Sequence, residues 1–154
     1  MERNNIFNFA TSELSQDAFI CWLCNWVNFD DNDLSEDEKK LKELATEFIE
    51  KMLGEKLEDR KVNIKRQYQK IDVLLEIQNK TNQVVDMYVI IEDKVGTGLH
   101  SNQIEGYTKL ISEKNKSKAQ IKTVYYKTYD EDNMENLKEN GVDVIFGREK
   151  ILEL

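Results

Sequence analysis

The sequence predicts an α/β fold in which a mixed β-sheet carries helices on both faces. Two helical patterns come first, alternating and then continuous apolar runs follow from Lys61, and helices alternate with strands after that. A length of 154 residues is that of one domain with a single core, so we expect one domain over residues 1–154. The chain contains no proline and shows no internal repeat or linker.

Two helices are predicted before any strand. Apolar residues at helical spacing indicate a first helix over residues 12–28, with Thr or Ser side chains near its start as N-caps. A second helix is predicted over residues 35–53, where Gly54 is a C-terminal stop. Cys21 and Cys24 lie within the apolar pattern of the first helix, which favours buried thiols over a redox or zinc site.

The strands begin after Lys61. Residues 62–77 alternate in polarity and are rich in branched side chains, which predicts either two strands or one long bent strand. Residues 79–83 indicate a turn, and residues 84–94 are apolar on both faces near their end, as in a central strand.

Four elements complete the predicted order. They are a helix over 101–114, a strand over 121–128, a short helix within 131–141 and a last strand over 142–147.

The formal net charge of −8 argues against a general nucleic-acid-binding surface, because phosphate contacts need clustered Lys and Arg. Two stretches, 60–70 and 114–127, are nevertheless basic. They are candidates for following a phosphate backbone, with Tyr68, Tyr125 and Tyr126 available for base stacking. The alternative is a solvated face with core tyrosines.

No stretch of 18 apolar residues is present, and the N-terminus lacks the basic and apolar regions of a secretory signal. We therefore expect a soluble, cytoplasmic protein with no membrane partner.

Charged residues enter two of the apolar strands. Asp72 lies inside one predicted strand, and Glu92 and Lys94 end the next strong strand. A hairpin-like turn between these strands can bring the two carboxylates together as ligands for a hard divalent ion, with the lysine on the same face. Such a site has the parts that phosphodiester hydrolysis needs, whereas the alternative is an ion-pair network at a sheet edge.

At these residues the sequence resembles the PD-(D/E)XK nuclease superfamily. Its signature of an acidic residue followed by (D/E)-x-K reads here as Asp72 and then Glu92 to Lys94, while Gln103 and Tyr107 resemble the Q-x-x-x-Y motif of the RecB-type subgroup. The resemblance implies a restriction-endonuclease-like core, with the element order α-α-β-β-β-α-β-α-β.

The resemblance also implies roles for individual residues. Asp72 and Glu92 would bind the metal, the backbone carbonyl of Asp93 would complete its inner shell, and Lys94 would be the catalytic lysine. The alternative for the two carboxylates and the lysine remains a structural ion-pair network.

Gln103 and Tyr107 would orient the site or touch substrate phosphate; the alternative is an ordinary polar face of the helix. Glu13 matches the metal-facing glutamate that many members carry on the first helix, with Asp17 as its substitute; the alternative is that both acidic residues only interact favourably with the helix macrodipole. His100, in a glycine-rich loop, is a candidate phosphate contact or else an ordinary solvent-facing histidine.

The resemblance implies a nuclease that uses Mg²⁺ or Mn²⁺, with DNA favoured over RNA and with ends or single strands favoured as targets. A homodimer or a partner protein is expected to supply specificity. The alternative is a catalytically silent nuclease fold that acts as a regulator or decoy in a defence or counter-defence system.

Overall fold

A computed structural model of the protein describes residues 4, 16–94, 102–127 and 134–154. The order of its elements confirms the prediction, and a final short helix follows the last predicted strand. The helices are α1 (Gln16–Asn25), α2 (Glu36–Leu53), α3 (Gln103–Lys114), α4 (Met134–Glu139) and α5 (Arg148–Leu152), and the strands are β1 (Arg60–Tyr68), β2 (Ile71–Asn79), β3 (Val85–Lys94), β4 (Gln120–Lys127) and β5 (Val144–Phe146).

Five strands form one sheet in the order β1-β2-β3-β4-β5. The pairs β1–β2 and β2–β3 are antiparallel, and β3–β4 and β4–β5 are parallel, so the sheet is mixed as predicted. Strand β3 lies at the centre, and its residues Val89, Ile90 and Ile91 are fully buried because both faces are covered.

Helices cover both faces of the sheet, as predicted. Helices α1 and α2 share one apolar core with residues of the strands, and in it Phe48 of α2 lies with Ile91 of β3 and Phe146 of β5. Helix α3 closes the other face through a smaller cluster in which Ile111 packs with Ile90. No helix in the described part of the chain combines the length and the apolar character needed to cross a bilayer.

The two cysteines belong to the core between α1 and the sheet, which confirms their prediction as buried thiols. Cys21 and Cys24 are both 0% exposed and both carry free thiols. Burial raises the pKa of Cys21 to about 12 and raises that of Cys24 well above its usual value. Neither thiol is therefore poised for chemistry.

The boundaries of the first two helices follow local hydrogen bonding. Helix α1 gives way to a 3-10 turn at residues 26–28, where the predicted helix continued, and residues 11–15 with the predicted N-caps lie outside the described residues. Helix α2 begins after Ser35, which forms a capping box with Glu38, and ends at Gly54 with a φ of 73°.

Residues 62–77 form two strands rather than one bent strand. The turn between them is Gln69-Lys70, with φ values of 51° and 75°, and it pairs Tyr68 with Ile71. Two-residue hairpin turns with positive φ values usually contain Asn or Gly, so the side chains here offered no clear turn signal. The register places residue 67 across from Asp72.

Candidate active site

Asp72 and Glu92 lie across from each other on neighbouring antiparallel strands. Val73 of β2 pairs with Ile91 of β3, so the next residue outward on β2 faces the next residue outward on β3. The backbone N–H of Asp93 donates to Oδ2 of Asp72 at 2.9 Å, which ties the two strand ends together. The structure thus brings together the two carboxylates that the sequence analysis singled out.

Glu92 is a buried carboxylate with one held oxygen and one unpartnered oxygen. Its side chain is 1% exposed, and Oε1 accepts from Lys94 Nζ at 2.6 Å and from Gln103 Nε2 at 2.7 Å. Oε2 is buried and has no hydrogen-bond partner in the part of the chain that the structure describes. Burial raises the pKa of Glu92, and the charge of Asp72 raises it further against the opposing effect of Lys94.

Lys94 remains an ammonium despite its partial burial. Burial lowers its pKa, but the hydrogen bond and charge of Glu92, together with the charge of Asp72, outweigh that effect and leave the pKa raised. The lysine side chain is 14% exposed, so its charge sits where bulk water screens it only partly.

Helix α3 supplies the polar groups that close the site from above the sheet. Gln103 and Tyr107 are one helical turn apart, and Nε2 of the glutamine donates both to Glu92 and to the tyrosine hydroxyl, the latter at 2.9 Å. The hydroxyl in turn donates to the carbonyl oxygen of Lys70 at 2.7 Å. Oε1 of Gln103 is a second buried acceptor to which no described residue donates.

The side chain of Asp93 points to the opposite face of the sheet from Glu92 and Lys94. Its Oδ1 accepts from Gln16 Nε2 of helix α1 at 2.5 Å. Burial raises the pKa of Asp93 to about 7, with further contributions from the negative charges of Asp72 and Asp17. A role for Asp93 through its backbone carbonyl stays a prediction.

The first helix contributes Asp17, which is 5% exposed. Its Oδ2 accepts from Arg66 Nε at 2.8 Å and from Gln67 Nε2 at 3.0 Å. Nothing in the sequence pattern distinguished Gln67 or Gln16; only the register of the hairpin would have placed Gln67 beside Asp72.

Two predicted site residues cannot be placed. Glu13 and His100 lie outside the described residues, so their roles stay predictions.

The family of the chain follows from its sequence as a whole. The family model of the PD-(D/E)XK nuclease superfamily matches residues 4–153. The chain belongs to this superfamily. Neither the curated proteins nor the solved structures contain a significant match.

Asp72 and Glu92 of this PD-(D/E)XK chain fit a hard divalent ion that needs few protein ligands. Within the described ranges, no three His, Cys, Asp or Glu side chains are grouped as a metal site. Magnesium, however, is commonly held by one or two carboxylates and keeps several waters. The unpartnered Oε2 of Glu92, beside Asp72, is an acceptor whose burial is costly unless a cation or donor meets it.

The basic stretches are less available than the sequence suggested. Tyr125 and Tyr126 are 0% and 3% exposed, so the prediction that they stack on bases is wrong and the core alternative is right. In the first stretch, Arg60, Lys65 and Arg66 are all held in ion pairs with acidic residues.

One basic and aromatic cluster remains next to the site. The Nζ atoms of Lys65 and Lys114 each lie 5.0 Å from the centre of the Tyr68 ring, and Lys114 also donates to the tyrosine hydroxyl at 2.9 Å. Tyr68 packs in the same apolar cluster as Tyr107. This cluster therefore adjoins the site.

Proposed function

We propose that the protein is a divalent-metal-dependent nuclease that hydrolyses phosphodiester bonds, with DNA favoured over RNA as the substrate. The observation that carries the proposal is the state of Glu92, a fully buried carboxylate with one oxygen held by Lys94 and Gln103 and the other without a partner among the described residues. Membership of a nuclease superfamily supports the same activity.

Within this proposal, Asp72, Glu92 and the backbone carbonyl of Asp93 would hold Mg²⁺ or Mn²⁺. Glu13 is kept as a further ligand from the first helix. The bound ion would act as a Lewis acid that offsets negative charge on the phosphoryl oxygens. The antiparallel register of β2 and β3 positions the two carboxylates, and the bond from the Asp93 N–H orients Asp72.

Lys94 is assigned the stabilisation of negative charge that develops on the substrate phosphate. Its ammonium is already oriented by Glu92 and partly shielded from water, so little reorganisation is needed when the charge develops. Gln103 donates to the same oxygen of Glu92 as Lys94 does, and it also donates to the hydroxyl of Tyr107. These two residues, with His100, are also the proposed substrate contacts.

The substrate strand is proposed to pass over the cluster of Lys65, Tyr68 and Lys114. Lys65 is paired with Glu76 at 2.5 Å, so the positive charge offered to a phosphate here comes from Lys114, which stands over the Tyr68 ring. The Q-x-x-x-Y pattern of Gln103 and Tyr107 supports a RecB-like preference for ends or single strands.

The remaining parts of the proposal concern the whole protein. We propose that residues 1–154 form one nuclease domain and that the protein works in the cytoplasm. We also propose that a second copy or a partner protein supplies specificity.

The decisive experiment is cleavage of labelled linear duplex, single-stranded and circular DNA and of RNA, with Mn²⁺, Mg²⁺ or EDTA. Wild type is compared with Lys94→Met and with the matched control Lys40→Met, which alters an exposed surface lysine on α2. Cleavage that needs metal, survives in the control and disappears in Lys94→Met is expected. The circular substrate separates internal cleavage from attack at ends.

The proposal is overturned if folded wild-type protein leaves every substrate intact with either metal. That outcome would favour the silent nuclease fold as a regulator or decoy. Cleavage of RNA alone would keep the nuclease and reject the preference for DNA.

A further inference from the structure

One polar side chain connects the first helix to the carboxylate of Asp72. Nε2 of Gln67 donates to Asp17 Oδ2 at 3.0 Å and to Asp72 Oδ1 at 3.2 Å. An amide nitrogen carries two hydrogens, so one group serves both carboxylates. We propose that Gln67 is a positioning residue that orients Asp72 for metal binding, an inference that rests on the proposed function.

Both oxygens of Asp72 are then directed by donors from different strands. Oδ1 accepts from Gln67 of β1, and Oδ2 accepts from the N–H of Asp93 on β3. A carboxylate offers about four lone-pair positions, so two donors fix its plane and still leave positions for an ion. Outer contacts of this kind typically change metal affinity about 10- to 100-fold when they are lost.

The side-chain amide of Gln67, which contacts Asp72, is neutral. Arg66 places a guanidinium on Asp17, with Nε at 2.8 Å and Nη2 at 3.3 Å, and so balances the charge of that carboxylate. Gln67 orients Asp72 without adding a positive charge beside it. The amide therefore does not itself place a cation that would repel a divalent ion bound by Asp72.

The backbone at Gln67 supports the same assignment. Its φ of 51° lies in the left-handed region, although the residue is inside strand β1 and is not a glycine. Such a conformation is strained for a residue other than glycine and persists where the surroundings impose it, often at functional sites. Here the strained backbone accompanies a side chain that bridges two carboxylates.

The hairpin provides a matched control. Gln69 has the same φ of 51° and is also exposed, but it lies in the two-residue turn and shows no side-chain hydrogen bond among the described residues. The substitutions Gln67→Leu and Gln69→Leu remove the same amide from the same backbone conformation, two residues apart.

The test is calorimetric titration of full-length protein with Mn²⁺, accompanied by the melting temperature of each metal-free variant. We expect Gln67→Leu to raise the Mn²⁺ Kd about 10- to 100-fold, with Gln69→Leu within twofold of wild type. Gln67→Ala, which removes the donor without adding a charge or a metal ligand, is expected to weaken Mn²⁺ binding by a similar factor and serves if the Leu variant fails to fold. Asp72→Asn should abolish the binding.

A merely structural role would lower the metal-free melting temperature of Gln67→Leu and leave the Kd of the folded protein unchanged. That result, with binding lost in Asp72→Asn, overturns the inference while the proposed metal site stands. Absence of Mn²⁺ binding by wild type overturns both the inference and the metal dependence of the proposed function.

Discussion

The pair formed by Lys94 and Glu92 gives the sharpest test of the site, because its removal should affect stability and catalysis in separable ways. Nζ and Oε1 are 2.6 Å apart, and the side chains are 14% and 1% exposed. Removing one partner of a buried ion pair costs up to about 3–5 kcal/mol, since it leaves an uncompensated charge.

For Lys94→Met we expect a smaller loss, about 2–3 kcal/mol, because Gln103 still donates to Glu92 and the carboxylate can take up a proton. In a chain of this length that corresponds to a fall of about 4–12 °C in melting temperature. The double variant Glu92→Gln with Lys94→Met removes both charges and should recover most of the loss.

With metal bound, Lys94→Met should regain stability but not cleavage activity. The ion would replace the missing ammonium beside Glu92, so Lys94→Met should bind Mn²⁺ at least as tightly as wild type. Metal at 100 times its Kd should stabilise the variant by about 2.7 kcal/mol. Cleavage should nevertheless fall at least about 100-fold, because the oriented cation is gone.

The assay is urea unfolding with EDTA and with Mn²⁺, run beside cleavage of the best substrate. The reasoning is refuted if Lys94→Met matches wild type in metal-free stability, because the pair would then contribute nothing. It is refuted equally if the variant cleaves at the wild-type rate.

Three further predictions concern the rest of the molecule. The Asn28 side chain accepts from the backbone N–H of Val62 at 3.1 Å and donates to the Val62 carbonyl oxygen at 2.8 Å. Asn28→Asp loses the donor and should lower the free energy of unfolding in urea by about 1–3 kcal/mol. An unchanged free energy of unfolding would contradict this prediction. Burial raises the pKa of Cys21 and Cys24, so native protein at pH 8 should resist a thiol reagent that labels both after unfolding, and rapid native labelling would refute this. Lys114→Met should make the plot of log binding constant for nucleic acid against log salt concentration less steep by about one unit of slope. An unchanged slope would remove Lys114 from the proposed substrate path.

Much of the fold could be predicted because each element has its own local signal. Gly54 marks the end of α2, and the apolar periodicity of that helix and the continuous apolar run of β3 reflect which faces must be buried. The hairpin of β1 and β2 was harder, since Gln69 and Lys70 adopt positive φ values that are usually marked by Asn or Gly.

The residues of the site also differ in whether the sequence alone marks them. The charges at Asp72, Glu92 and Lys94 stand out in the sequence because carboxylates and ammonium groups are expensive inside apolar strands. The contact of Gln67 with two carboxylates had no such signal, because an exposed glutamine is ordinary in any sequence.

By itself, the sequence determined the order of helices and strands, the superfamily and the charged residues of the signature. The tertiary structure alone decided that Asp93 points to α1 while Glu92 points to α3, and that one oxygen of Glu92 is left without a partner within the described ranges. The physical reason is that periodicity along a chain specifies which residues share a face. Which groups meet across that face depends on strand register and helix packing, which involve residues far apart in sequence.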